Sequence, residues 1–99
     1  MASGAVMYEV IVKVAPDARE AYLAWLRPHV QEMLGFDGFL SADIFTNTED
    51  DCEITSLYRL ENRAAMDAYL AGPAQRMRAD GAARFGDKIS ASRRILLKA

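Results

Sequence analysis

The sequence is poor in the residues that much enzyme and metal-site chemistry requires. It contains one cysteine, Cys52, and one histidine, His29. A single cysteine excludes an intramolecular disulfide, and the acidic run Glu49–Asp51 just before Cys52 disfavours the thiolate that a nucleophile needs. A lone histidine, without cysteine or carboxylate residues at ligand spacing, predicts no metal site. We therefore expect neither a metal nor another cofactor.

Long apolar runs and a strong net charge are also missing. No run approaches the ~20 apolar residues that span a bilayer, and the first residues lack the basic start and apolar core of a signal peptide. A net charge of -2 argues against general binding to nucleic acid or to an anionic membrane. There is no glycine-rich phosphate loop and no serine nucleophile motif. We expect a cytoplasmic protein without nucleic-acid or membrane partners.

The patterns that are present predict the order β-α-β-β-α-β. Alternating polarity and many β-branched residues indicate strands at residues 6–14, 39–46, 52–60 and 88–98. Apolar residues at helical spacing indicate one helix after Pro16-Asp17 and another after Asn62. This order predicts a single ferredoxin-like α+β domain, residues 6–98, with a four-stranded antiparallel sheet and both helices on one face.

Local signals predict how the helices start and where they are interrupted. Asp17 followed by Glu20 has the spacing of a capping box at the start of the first helix. Pro28 removes a backbone donor inside that helix and predicts a kink. Gly72-Pro73 predicts that the second helix is broken into two pieces.

The sheet face opposite the helices, called the open face below, is predicted to carry apolar and charged side chains together. The alternation assigns to it Glu9, Ile11, Asp43, Phe45, Thr55, Leu57, Arg59 and one of Arg93 and Arg94. The alternation of the last strand is blurred, so the choice between the two arginines stays open, and a β-bulge is one solution. Such a face is too apolar to be left in water and too charged for a dry core. A second copy lying over it would form a symmetric dimer with space for a small ligand between the sheets.

Seven residues are candidates for ligand contact. The polar candidates on the open face are Glu9, Asp43, Arg59 and Arg94, and the apolar ones are Phe45 and Leu57. Glu9 beside Arg59 or Arg94 can bind a polar ligand, or it can form only a cross-strand ion pair. His29 lies on the apolar stripe of the first helix, as a proton-transfer group or as a packing residue. The sequence assigns no catalytic residue.

The two halves of the chain carry opposite charge. Residues 1–53 contain three basic and ten acidic residues, and residues 54–99 contain nine basic and four acidic residues. The charges can neutralise each other within one fold, or acidic and basic surfaces can meet across a symmetric dimer.

Short motifs extend over nearly the whole chain. They are Tyr8-Glu9-Val10 with Val12, His29 with Glu32-Met33-Leu34, Gly38-Phe39, Tyr58-Arg59, Arg78-Ala79-Asp80 through Phe85-Gly86, and Ala91-Ser92-Arg93-Arg94-Ile95-Leu96. These motifs resemble a family of bacterial proteins of about this length that is known only as a domain of unknown function. The resemblance implies a dimeric α/β barrel without an established activity.

A more distant similarity involves Tyr58-Arg59 and the segment from Ala68 to Ala74. These residues are similar to the antibiotic biosynthesis monooxygenase superfamily, whose members are cofactor-free or handle haem. Tyr69 and Ala74 stand where histidine is common in that superfamily, and this departure argues against haem ligation here.

Three functions follow from these observations. The first is a homodimeric α/β barrel that binds a small organic molecule between its sheets. The second is a non-catalytic dimerisation or interaction module with a packed interface. The third is a cofactor-independent monooxygenase-like enzyme in which His29 or a tyrosine transfers a proton.

Overall fold

The computed structural model describes residues 5–99, in which four strands and three helices follow the predicted order. The strands are β1 (Val6–Val14), β2 (Phe39–Asn47), β3 (Asp50–Leu60) and β4 (Ile89–Leu97), and the helices are α1 (Arg19–Met33), α2 (Arg63–Ala71) and α3 (Ala74–Phe85). All neighbouring strands pair antiparallel in the order β2-β3-β1-β4. This arrangement confirms the predicted ferredoxin-like α+β fold.

Strand β1 lies in the middle of the sheet, and its alternation divides the molecule into two sides. Val6, Tyr8, Val12 and Val14 are buried and face the helices. The core lies between this side of the sheet and the helices, and it continues through Ile54 and the other helix-facing residues of β3, together with buried residues of all three helices. The other side of the sheet has no helix over it within the described residues.

The first helix does not start as the sequence indicates. A 3-10 turn at Pro16–Ala18 precedes α1, and the residue before the helix, Ala18, makes no side-chain cap. The Asp17 carboxylate instead accepts a hydrogen bond from Lys88 Nζ at 2.7 Å. The predicted capping box is therefore wrong, because a cationic partner from a distant segment binds the carboxylate.

The signals of the second helix are found where the sequence places them. Asn62 caps α2 by accepting a hydrogen bond from the Ala65 amide at 2.9 Å. Helix α2 ends at Ala71 and α3 starts at Ala74, so Gly72-Pro73 separates two helical pieces as predicted. Pro28 lies inside α1, which continues to Met33.

Strand β2 differs from the predicted alternation at one position. In β2, Phe39 pairs with Leu60 and Ser41 pairs with Arg59, so Leu40 is an extra residue. Strict alternation would place Phe39 on the same face as Asp43 and Phe45. The bulge instead turns its ring into the core, where it packs against Tyr58 and Tyr69.

In β4 the pairing with β1 is continuous, and the proposed bulge is absent. Val10 pairs with Arg93, and Glu9 pairs with Arg94. Arg93 therefore lies on the helix side of the sheet, exposed at its edge, and Arg94 lies on the open face.

Among the glycines of residues 5–99, Gly38 should tolerate substitution least. It has φ +84, and an added Cβ would lie 2.3 Å from the Ala65 Cβ. Strain of about 1–2 kcal/mol in the left-handed region adds to the cost of overpacking, so Gly38→Ala should lower the free energy of unfolding by at least about 2 kcal/mol. Urea denaturation measures this change.

The control is Gly35→Ala, because Gly35 has no positive φ and its added Cβ would meet only the Glu32 carbonyl oxygen, at 3.2 Å. It should change the free energy of unfolding by less than about 1 kcal/mol. Equal effects of the two substitutions would contradict the close approach of Gly38 to α2.

Candidate functional site

The strand pairing arranges the open face in rows that run across the sheet. One row contains, from β2 to β4, Asp43, Leu57, Glu9 and Arg94. The next row toward the hairpin end of β2 and β3 contains Phe45, Thr55, Ile11 and Ser92, and the row on the other side contains Ser41, Arg59, Met7 and Leu96. The structure therefore brings six of the seven candidate residues together on one face.

Glu9 and Arg94 form the ion pair of this face. Arg94 Nε donates to Glu9 Oε1. The Glu9 side chain is only 15% exposed, whereas that of Arg94 is 62% exposed. Glu9 is thus half-buried among the apolar residues of the central strands. Its partner Arg94 is on the edge strand β4 and is largely exposed, so a further acceptor can reach it.

Arg59 does not bind Glu9. It is exposed in the neighbouring row, opposite Met7 on β1. It also lines a half-open pocket of about 360 Å³ at this end of the face, together with Met7, Leu96, Leu97, Lys98 and Ala5.

The candidates on the edge strand are exposed. Phe45 is 51% exposed and Asp43 is exposed beside it, whereas Leu57 on β3 is half-buried. A large exposed aromatic residue beside half-buried apolar residues is typical of a surface that another molecule covers.

His29 lies on the opposite side of the sheet from the other six candidates. Its ring stacks on Trp25, with the ring centroids 4.3 Å apart. Both residues line a cavity between the helices and the sheet, with a volume of about 60 Å³. That volume is below the range of small-molecule sites, so an organic ligand enters only if the wall moves.

The sequence pattern assigned no role to Arg78 and left the face of Arg93 open, and both residues lie at this cavity. Arg78 Nη2 donates to Tyr8 Oη at 3.1 Å, and Arg93 lines the same cavity. Arg78 and Tyr8 are 70 residues apart in the chain, so no local pattern predicts their contact. The side of the sheet on which Arg93 lies could be assigned only from the register of β4 against β1.

Burial sets the protonation of the cavity groups. It lowers the pKa of His29, against the opposing effect of Glu32 and Asp80. It raises the pKa of Tyr22 to about 12, and that of Tyr69 to about 12. At neutral pH the imidazole is therefore a neutral proton acceptor, and these two phenols remain protonated donors.

The β2–β3 hairpin contains a cluster of oxygen and sulfur atoms. Ligand atoms of Asp50, Asp51 and Cys52 lie within 4.8 Å of one another. Asp50 already accepts hydrogen bonds from Lys13 and from the Cys52 amide. Burial and the two aspartates raise the pKa of the Cys52 thiol, which disfavours the thiolate that a metal binds.

The sheet, the helix layer and the uncovered face define a ferredoxin-like α+β protein. The chain belongs to the family described as Domain of unknown function (DUF4286), whose model matches residues 5–99. No helix among the described residues is long and apolar enough to cross a membrane. A comparison with curated proteins finds no significant match.

Solved structures with low sequence identity share the fold. A conserved protein from Methanosarcina mazei has a TM-score of 0.79 at 14% identity, with 98% of this chain and 95% of that chain covered. Rv0793 from Mycobacterium tuberculosis has a TM-score of 0.76 at 22% identity, with 96% and 95% covered. The cofactor-independent oxygenase SnoaB from Streptomyces nogalater, solved as a mutant, has a TM-score of 0.77 at 11% identity, with 97% and 94% covered. At these identities the likeness establishes the fold alone.

The lowered pKa of His29 predicts a pH dependence of stability. Below about pH 6.5, the usual pKa of the imidazole, the unfolded state binds more protons than the folded state. The free energy of unfolding should therefore fall as the pH decreases from about 6.5 toward the lower pKa of the folded protein. Asp17 and Asp50, whose pKa values are lowered from 3.8, act in a more acidic range.

Urea denaturation between about pH 7.5 and 5 measures this effect. His29→Gln should remove the decrease, because glutamine does not titrate. A wild-type free energy of unfolding that is constant over this range would contradict the burial of a neutral His29.

Proposed function

We propose that this protein forms a homodimer through its open sheet face and binds a small organic molecule between the two sheets. The observation that carries the proposal is the row Asp43, Leu57, Glu9 and Arg94 on a face without a helix. In this row Leu57 and Glu9 are half-buried, and the neighbouring row adds the apolar residues Phe45 and Ile11. A second molecule over the face would remove this apolar surface from water.

Charge complementarity supports a second copy as the occupant. A two-fold axis parallel to the strands places the β2 edge of one copy over the β4 edge of the other. Asp43 of each copy then lies opposite Arg94 of the other, in the same row. Each Arg94 gains a second carboxylate beside its own Glu9, and the symmetry forms this contact twice.

The ligand space follows from the same arrangement. Stacked sheets lie about 10 Å apart, a distance that side chains normally fill. Rows with serine or threonine opposite larger residues leave volume between the layers, and Phe45 and Leu57 supply apolar contacts there. Glu9, Asp43, Arg59 and Arg94 supply the polar contacts. A non-catalytic interaction module differs in one respect: side chains fill this space completely.

The register of the dimer is tested by Asp43→Lys. At two symmetric positions it replaces attraction to Arg94 by repulsion, so it should weaken dimerisation about tenfold or more. Sedimentation velocity over a concentration series measures the dissociation constant. Asp37→Lys is the matched control, since it makes the same charge change at an exposed loop position. Equal effects of the two variants would contradict the register, and a wild-type monomer at every concentration would contradict the dimer.

A second candidate function, a cofactor-independent oxygenase, is favoured by one observation in the cavity between the helices and the sheet, called the inner cavity below. The neutral imidazole of His29 stacks on Trp25 in an aromatic-lined space, and SnoaB, a cofactor-independent oxygenase, shares the fold. A neutral imidazole can remove a proton from a phenol, and an electron-rich phenolate is the form that reacts with O₂. Here His29 is the base, and the protonated tyrosines donate hydrogen bonds.

This candidate predicts that His29→Gln lowers turnover by at least about 100-fold, the usual contribution of a general base. An oxygen electrode measures turnover with a panel of hydroxylated aromatic compounds, and circular dichroism checks that the variant is folded. Gln31→Ala, at an exposed position on the same helix, is the control. Turnover that survives in His29→Gln would reject the role of the histidine.

A further inference from the structure

The pocket around Arg59 has an unusual chemical composition. Its lining residues include Met7 and Leu96, whose side chains lie on the open face, and Leu97, the next residue of β4. Its charged residues are Arg59 and Lys98, and no acidic residue lines it among residues 5–99. Its volume of about 360 Å³ lies within the range of small-molecule sites. It is therefore an apolar pocket of ligand size with cations at its border.

Arg59 is the arginine of the open face that lacks a carboxylate. Within the described part of the chain it takes part in none of the ion pairs. Two carboxylates of the open face lie diagonally one row away from it, Glu9 on β1 and Asp43 on β2. Glu9 binds Arg94, and neither carboxylate forms an ion pair with Arg59. The guanidinium is thus free to bind an anion from solution.

Dimerisation would make binding of an anion at Arg59 more favourable. Strand β3 is next to the midline of the sheet, since the order is β2-β3-β1-β4. The two-fold axis proposed above then brings Arg59 of each copy over β1 of the other, opposite Met7. The two guanidinium groups approach each other between the sheets, and like charges without an anion weaken the dimer.

We propose that this pocket binds a small organic carboxylate, with the carboxylate on Arg59 and the apolar body against Met7 and Leu96. The inference rests on the proposed dimer for one consequence only: the bound anion strengthens dimerisation. Arginine presents a planar fork of donors that matches a carboxylate. The apolar side chains of Met7 and Leu96 favour a carboxylate with a hydrocarbon or aryl group over a bare inorganic anion.

Coupling between the two equilibria follows from mass action. A ligand that binds the dimer more tightly than the monomer must shift the chain toward the dimer. An uncharged molecule of the same shape gains the apolar contacts but does not neutralise the two arginines. The carboxylate should therefore act on dimerisation much more strongly than its neutral analogue.

The test uses benzoate as the probe and benzamide as its neutral analogue. Binding is followed by NMR chemical shifts of the full-length chain, and the dimer dissociation constant by sedimentation velocity with and without the probe. Benzoate should bind and should lower the dissociation constant of the dimer by about tenfold or more, whereas benzamide should leave it nearly unchanged.

Arg59→Gln should abolish benzoate binding and should also tighten the ligand-free dimer, because it removes the repulsion. The control Arg84→Gln changes an exposed arginine on α3 that forms no ion pair among residues 5–99, and it should behave as the wild type.

The outcomes separate the two proposals. Absence of benzoate binding, or binding that Arg59→Gln leaves intact, overturns the carboxylate site whatever the oligomeric state. Binding that depends on Arg59 in a chain that stays monomeric supports the site, overturns its coupling to dimerisation and contradicts the proposed dimer. Binding that depends on Arg59 together with a tighter dimer supports both.

Discussion

The rest of the structure depends on the register of one strand. Strand β1 pairs with β3 on one side and with β4 on the other without interruption, so its period of two decides which residues of three strands face the helices. A slip of one residue would exchange Tyr8 for Glu9 in the core and would bury a carboxylate without a partner. The burial of Val6, Tyr8, Val12 and Val14 therefore fixes the composition of the open face.

The order of elements and most strand faces were predictable because alternation and turn residues are local signals. Long-range contacts account for the exceptions. Lys88 binds Asp17 from a distant segment, and a bulge at Leu40 turns Phe39 inward. Strand β4 has a blurred pattern because it is an edge strand with seven exposed residues out of nine. Because few side chains of such an edge strand are buried, many residue types fit at each position and the alternation is weak.

The candidate site was likewise predictable where it depends on local alternation and not where it depends on long-range pairing. Six of the seven residues share one face because alternation alone assigns a face, but the partner of Glu9 depended on pairing that only the sheet defines. From alternation alone, Arg59 and Arg94 were equally good partners for Glu9. The register of the sheet places Glu9 opposite Arg94, and Arg59 lies beside an apolar pocket instead. The contact of Arg78 with Tyr8 joins an α3 residue to a β1 residue, and no sequence pattern encodes it.

The consecutive arginines of β4 show why two candidate sites can coexist in so small a protein. Arg93 lines the cavity between sheet and helices, and Arg94 binds Glu9 on the other side of the same sheet. Because adjacent side chains of a strand point to opposite faces, a substitution at one position changes one site while the backbone pairing of the other is retained. The inner cavity and the open face therefore have separate chemistry on shared strands, and their functions can be separated by substitutions one residue apart.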